Sequence, residues 1–303
     1  LILIKLFLKL KSALKLKING LEIKIIYKKI NKLGEGPLYD EIKDLIYWVD
    51  IENKKIYASK TFEEKITHID MPEMVSAVFL TNKEEIIASA GHSLYLIDSG
   101  KKLKKLAEIE NDVNTRFNDG KVSPDGLIIV GTMDLNQKRP IGSLYSFNGK
   151  IFKKILKKMT ISNGLAWNTK KKIFYIIDSP TKKVMSYEYD RMMNLKYAGI
   201  AADLNNEEGV PDGMTIDKEG MLWIAMWGGG KVIRWDPDEN KKLIEIKVPA
   251  KKTSSCNFGD RDLKTLFITS ADSPDDLGGS LFAVKTEYEG TYSYRFDVNN
   301  ISF

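Results

Sequence analysis

The sequence predicts an all-β fold, a six-bladed β-propeller with four-stranded antiparallel blades. Three observations carry that expectation. Short apolar, β-branched or aromatic runs recur six times, a second run with alternation follows each of them, and no long segment keeps a 3.6-residue apolar period. The first runs are 45–49 (LIYWV), 86–90 (IIASA), 128–132 (IIVGT), 173–177 (IFYII), 222–226 (LWIAM) and 266–270 (LFITS), with starts 41, 42, 45, 49 and 44 residues apart. A period of 40–50 residues holds four short strands. A closed ring of such units protects sheet edges that a linear stack would leave open.

Taken in order, the chain opens with residues 1–18, LILIKLFLKLKSALKLKI. Lys5, Lys9 and Lys11 interrupt the apolar core that a secretory signal needs, and no run approaches the ~18 residues of a membrane span. The first Met is Met71, so Leu1 is not expected to be the natural start. Residues 1–20 therefore read as a lysine-rich extension, non-native or disordered. An amphipathic surface helix or an organelle presequence is the alternative. Residues 21–303 read as a single propeller domain. Within it, 21–30 (LEIKIIYKKI) alternate and are expected to add an outer strand to the last blade. The second strands of the six units are expected near Ile56, Leu94, Leu144, Val184, Val232 and Leu281.

Charge and composition exclude several functions. The net charge is +6, but residues 1–32 carry nine Lys against one Glu, so the remaining 271 residues are close to neutral at −2. A nucleic-acid reading has no electrostatic footing there. The single cysteine, Cys256, permits no internal disulfide and fits a reducing compartment, so a cytoplasmic location is expected. With only His68 and His92, neither a His-rich zinc site nor a Ser-His-Asp triad is favoured.

Ten residues before the six runs stand Glu35, Ser76, Asn118, Asn163, Asp212 and Cys256. If the units are equivalent, these side chains share one level and line the mouth of the central channel. Ca²⁺ takes oxygen ligands, and Glu35, Asn163 and Asp212 would supply them, the two carboxylates neutralising the ion. Singly, Asn163-Gly164 and Asp212-Gly213 read as turn dipeptides and Glu35 as a solvated charge. Their common offset is what separates them from such turns. Asp125-Gly126 abuts a strand and reads as a hairpin turn. Gly228-Gly229-Gly230 joins two strands with no helix after it, so it is no phosphate cradle. Cys256 reads as a small buried residue. Arg116, two residues before Asn118, shares its strand face. Its guanidinium would bind an anion or a polyhydroxy substrate, or form a salt bridge with Asp119.

At these residues the chain resembles the regucalcin/gluconolactonase family, which includes the insect luciferin-regenerating proteins. The matching motifs are GEGP at 34–37, RFNDGKVSPDG at 116–126, ISNGLAW at 161–167, PDGM at 211–214, GGKVIRWDP at 229–237 and TSSCNFG at 253–259. The resemblance implies a six-bladed propeller that opens sugar lactones to aldonic acids with a divalent cation. That cation would be Ca²⁺, with Zn²⁺, Mn²⁺ or Mg²⁺ as alternatives. It implies Glu35, Asn163 and Asp212 as metal ligands, Arg116 and Asn118 as substrate contacts, and Asp212 as acid/base as well. The segment 133–140 (MDLNQKRP) departs from the vertebrate pattern: Asn136 stands where those members carry a substrate-contacting glutamate, and the loop is shorter. Lys138 and Arg139 are expected to make the rim more positive. A metal-dependent lactonase is thus the expected function. The rival is a calcium-binding regulatory propeller with little or no catalysis. A scaffold for protein partners would instead present rim aromatics, for which Trp227 and Trp235 are the candidates.

Overall fold

Each period of the sequence folds as one antiparallel sheet, and six sheets stand around a common axis. The computed structural model describes residues 14–301, apart from 19, 62, 64, 110, 111 and 275. A hairpin of β1 (Leu14–Ile18) and β2 (Leu21–Tyr27) comes first. Blade 1 holds β3 (Gly34–Asp40), β4 (Leu45–Asp50), β5 (Lys55–Lys60) and β6 (Ile66–Asp70). Blade 2 holds β7 (Val75–Leu80), β8 (Ile86–Ala90), β9 (Ser93–Ile97) and β10 (Leu103–Glu108). In blade 3 are β11 (Thr115–Val122), β12 (Ile128–Asp134), β13 (Gly142–Phe147) and β14 (Phe152–Met159). In blade 4 are β15 (Ser162–Asn168), β16 (Ile173–Asp178), β17 (Lys183–Tyr189) and β18 (Leu195–Asp203). Blade 5 holds β19 (Val210–Ile216), β20 (Leu222–Trp227), β21 (Lys231–Asp236) and β22 (Lys241–Lys247). Blade 6 begins with β23 (Thr253–Gly259), β24 (Thr265–Ser270) and β25 (Leu281–Lys285), then takes β2 and β1 as its outer strands.

The alternating stretch near residue 21 therefore closes the ring, with Ile23 opposite Val284 and Ile25 opposite Phe282. The expected extension over residues 1–20 is described only in part, because residues 1–13 and 19 lie outside the described residues. Within it, β1 pairs with β2, Lys15 forms an ion pair with Glu22 at 2.9 Å, and Leu16 and Ile18 pack on the core between blades 5 and 6. Among the described residues no helix is long and apolar enough to cross a membrane.

Burial follows radial position. β8, β12 and β24 are buried along their whole length, because each lies between two neighbouring blades. This is why they read as unbroken apolar runs. The outer strands β10 and β14 put lysines on their exposed positions, a common device for keeping an edge strand from pairing with another chain. An apolar cluster lies between each pair of adjacent blades.

Two features of this frame position the functional groups. The innermost strand of every blade carries a one-residue bulge, at Glu35/Leu38, Val75/Ala77, Phe117/Gly120, Asn163/Leu165, Pro211/Met214 and Thr253/Ser255. Bulges re-aim side chains and increase local twist, so all six inner strands turn side chains at one level. Secondly, the chain after β25 crosses the opposite end of the channel. Gly290 bridges to Asp217, beyond β19, and Phe296 to Thr81, beyond β7. Arg295 clamps this strap through Asp40 Oδ1 at 2.6 Å, Glu41 Oε2 at 2.9 Å and the Thr81 carbonyl at 3.1 Å.

Candidate ligand site at the channel mouth

Four blades deliver polar side chains to one cavity of about 540 Å³. Glu35 comes from β3, Arg116 and Asn118 from β11, Asn163 from β15 and Asp212 from β19. Asn118, Asn163 and Asp212 are buried, while Glu35 and Arg116 keep a solvent-facing edge. The structure thus brings together five of the six residues expected from sequence. Asn136 is exposed and does not line the cavity; its neighbour Gln137 does, at a left-handed φ of 58°. The cause is buried Asp134, whose carboxylate accepts from the backbone N–H groups of Lys138 and Arg139 and from the Arg139 guanidinium at 2.9 Å. Arg139 is folded onto that acid. No sequence signal singled out Gln137, nor the apolar rim of Leu33, Ile51, Met133, Ile161 and Val210. Trp227 also lines the cavity, whereas Trp235 is buried in the core between blades 4 and 5.

The ring of level side chains differs from the expected one at two places. Ser76 is buried against Ser89, Oγ to Oγ 2.9 Å, away from the cavity. Cys256 lies deeper in the channel, its Sγ donating to the Trp223 carbonyl at 3.4 Å, and burial pushes its thiol up to about 12. The blade 6 hairpin is longer: Leu266 pairs with Phe258, eight back, where Leu222 pairs with Ile216 and Ile86 with Leu80, six back. The bulge therefore falls at Ser254, which donates to the Gly34 carbonyl at 2.5 Å.

Hydrogen bonds fix the groups that converge. Arg116 Nη1 donates to the Phe117 carbonyl at 2.7 Å and to Asn118 Oδ1 at 2.9 Å, and Asn118 Nδ2 donates to the Ser162 carbonyl at 2.9 Å. Arg116 forms no ion pair with Asp119. Asn163 Nδ2 donates to Asp212 Oδ1 and, at 3.0 Å, to Ser179 Oγ on the turn after β16. Glu35 Oε2 accepts from the Gly36 N–H at 2.9 Å. Burial, then the negative charges of Asp212 and Asp119, holds Glu35 well above the usual carboxylate range. Burial and Asp119 do the same to Asp212, against the Asn163 bond and Arg116. Burial also lowers Arg116 to about 10. The cavity thus offers amide and guanidinium donors beside two carboxylates that hold protons readily, a set suited to hydroxyl and carbonyl groups.

The same geometry corrects the metal expectation. Among the described residues no group of three or more His, Cys, Asp or Glu comes together that could hold a metal ion. Among the described residues two carboxylates, Glu35 and Asp212, line the cavity. The third expected ligand, Asn163, turns its nitrogen toward Asp212 to donate. A resident Ca²⁺, Zn²⁺, Mn²⁺ or Mg²⁺ on Glu35, Asn163 and Asp212 does not fit this arrangement. The metal-dependent lactonase assignment falls with it, as does Asp212 in the role of a cation-bound acid/base.

The family description "SMP-30/Gluconolactonase/LRE-like region" matches residues 33–272, which spans all six inner strands from Glu35 onward. The chain belongs to this family. A putative sugar lactone lactonase, YvrE, of Bacillus subtilis is 38% identical over 247 residues, covering 79% of this chain and 83% of its own. Human regucalcin is 35% identical over 272 residues, covering 87% and 91%. The solved structure of a regucalcin from Agrobacterium tumefaciens, described as a calcium-binding protein, superposes with a TM-score of 0.85 at 26% identity, covering 90% of this chain and 96% of that one. Membership extends family-level support for a small-molecule lactone ligand to this chain. The cavity between β3, β11, β15 and β19 is the place where such a ligand would meet family motifs.

Proposed function

We propose that this protein is a regulatory, ligand-binding propeller with little or no catalysis, whose channel mouth takes a small polyhydroxylated carbonyl compound of the sugar-lactone class. One observation carries the reading: Glu35, Arg116, Asn118, Asn163 and Asp212 converge from four blades on a single concave site, a few polar groups in an otherwise apolar lining, as in small-molecule sites. Arg116 and the second amide N–H of Asn118 present donors to ring and carbonyl oxygens, and the Asn163 amide oxygen accepts from hydroxyls. The carboxylates accept from ring hydroxyls. The likeness to regucalcins supports the regulatory half, and the likeness to a putative sugar lactone lactonase supports the ligand class.

The test pairs calorimetric titration of D-glucono-1,5-lactone and the ring-stable polyol 1,5-anhydro-D-glucitol with a hydrolysis assay. Both are run after chelation and with Ca²⁺ added. The expected outcome is binding without Ca²⁺, weakened by Arg116→Met about tenfold or more for the lost charged hydrogen bond, with lactone opening at the spontaneous rate. Absence of binding sinks the ligand reading. Lactone turnover above background that Asp212→Asn abolishes sinks the claim of little or no catalysis.

A further inference from the structure

The deeper half of the channel holds a second pocket that shares no lining residue with the mouth. The C-terminal strap closes it with residues 291–294, between the anchoring bridges at Gly290 and Phe296. Val78, Phe79, Leu165, Trp167 and Ile216 make apolar walls. Two charged side chains sit among them. Asp119 and Lys121 lie two residues apart on β11 and both line the cavity.

Their protein bonds leave capacity over. Lys121 Nζ donates to the Met214 carbonyl at 2.6 Å, and Asp119 Oδ1 accepts from the Gly120 N–H at 2.7 Å. An ammonium has three donors and a carboxylate accepts at both oxygens. No ion pair joins the two residues, so each keeps unused capacity facing the pocket. Unmet polar capacity of this kind is costly unless something satisfies it.

We propose that this chamber is a second ligand site, taking a small apolar molecule with one neutral headgroup that both donates and accepts, such as a primary amide. The amide carbonyl accepts from Lys121 and the amide N–H donates to Asp119, so one headgroup spans the unjoined pair. The alkyl or aromatic remainder packs on Leu165, Phe79 and Trp167. Neutrality matters because the ammonium and carboxylate already balance. An anionic headgroup would add a charge with no counterpart in a buried space.

The experiment titrates the full chain with hexanamide and with hexanoate, by calorimetry and by tryptophan emission, with Trp167→Phe as the emission control. Hexanamide is expected to bind at least about tenfold more tightly than hexanoate, and its emission change to vanish in the control. Lys121→Met and Asp119→Asn should each weaken hexanamide about tenfold or more, in line with loss of a hydrogen bond to a charged group. 1,5-Anhydro-D-glucitol, which tests the mouth, should bind Lys121→Met as it binds the parent; Asp119→Asn is read on hexanamide alone, because the Asp119 charge acts on Glu35 and Asp212. Hexanoate binding as tightly as hexanamide overturns the proposal, with no variant needed. So does undetectable hexanamide binding, or hexanamide affinity unchanged in both variants.

Discussion

Replacing Gly164 with alanine tests how the propeller sets the spacing of its mouth. A Cβ at Gly164 would lie 2.7 Å from the Asp212 carbonyl oxygen, 2.7 Å from Met214 Cβ and 2.6 Å from Ile177 Cδ1. Comfortable contacts between such atoms are nearer 3.5–4.0 Å, so separation must grow by about 1 Å. The Ile177 side chain can rotate away. The other two atoms belong to β19 itself, so the inner strands of blades 4 and 5 must move apart. Overpacking of this kind costs about 1–3 kcal/mol. At roughly 2–4 °C per kcal/mol for a domain of a few hundred residues, melting should fall by about 2–12 °C. Asn163 precedes Gly164 and donates to Asp212 on the strand being pushed. The same shift should therefore weaken 1,5-anhydro-D-glucitol binding. Thermal unfolding by circular dichroism and calorimetric titration of the variant check both effects. A variant that melts with the parent and binds the polyol equally well would refute the argument that blade contact sets this spacing.

Three further outcomes follow from the structure. Glu35 and Asp212 sit above their ordinary values when folded, so the folded chain favours their protonated forms. Stability should then decline as pH rises from the ordinary carboxylate range near 4 toward the raised values, and Glu35→Gln and Asp212→Asn should each raise the melting temperature at neutral pH and flatten that decline. Cys256, with its thiol pushed up to about 12 by burial, should resist iodoacetamide at pH 8 in the native chain and react fully in guanidinium; rapid native alkylation, read by mass spectrometry, would contradict its placement. Arg295→Ala removes the partner of buried Asp40 and unpins the strap. A loss of about 3–5 kcal/mol, measured by urea unfolding, is expected for a buried charge left uncompensated.

The sequence made the blades legible because the second strand of each is buried on both faces, and such strands must be apolar throughout. It made the mouth legible because bulges at one level repeat with the blade period, so a fixed step back from the apolar run lands on the level residue. The step works for Glu35, Asn118, Asn163 and Asp212. It fails for Cys256, where two more residues stand between Leu266 and its partner Phe258 than separate Leu222 from Ile216. Asn136 was lost for a related reason: the turn after β12 is set by the bonds of Asp134, and spacing alone does not contain them. The metal expectation went wrong at a different step. Glu35, Asn163 and Asp212 all carry side-chain oxygens, but a carboxamide also has a donor end, and Asn163 presents that end to Asp212. The glycines teach the converse. Asn163-Gly164 and Asp212-Gly213 look like turn dipeptides, yet both lie inside strands. A Cβ at Gly213 would meet Ser255 Cα on β23 at 2.7 Å, as one at Gly164 would meet β19. What the dipeptide encodes here is a side chain that lines the mouth followed by the one residue small enough for the next blade to approach. The polar group and the spacing that places it beside its neighbours therefore depend on adjacent positions of a single strand.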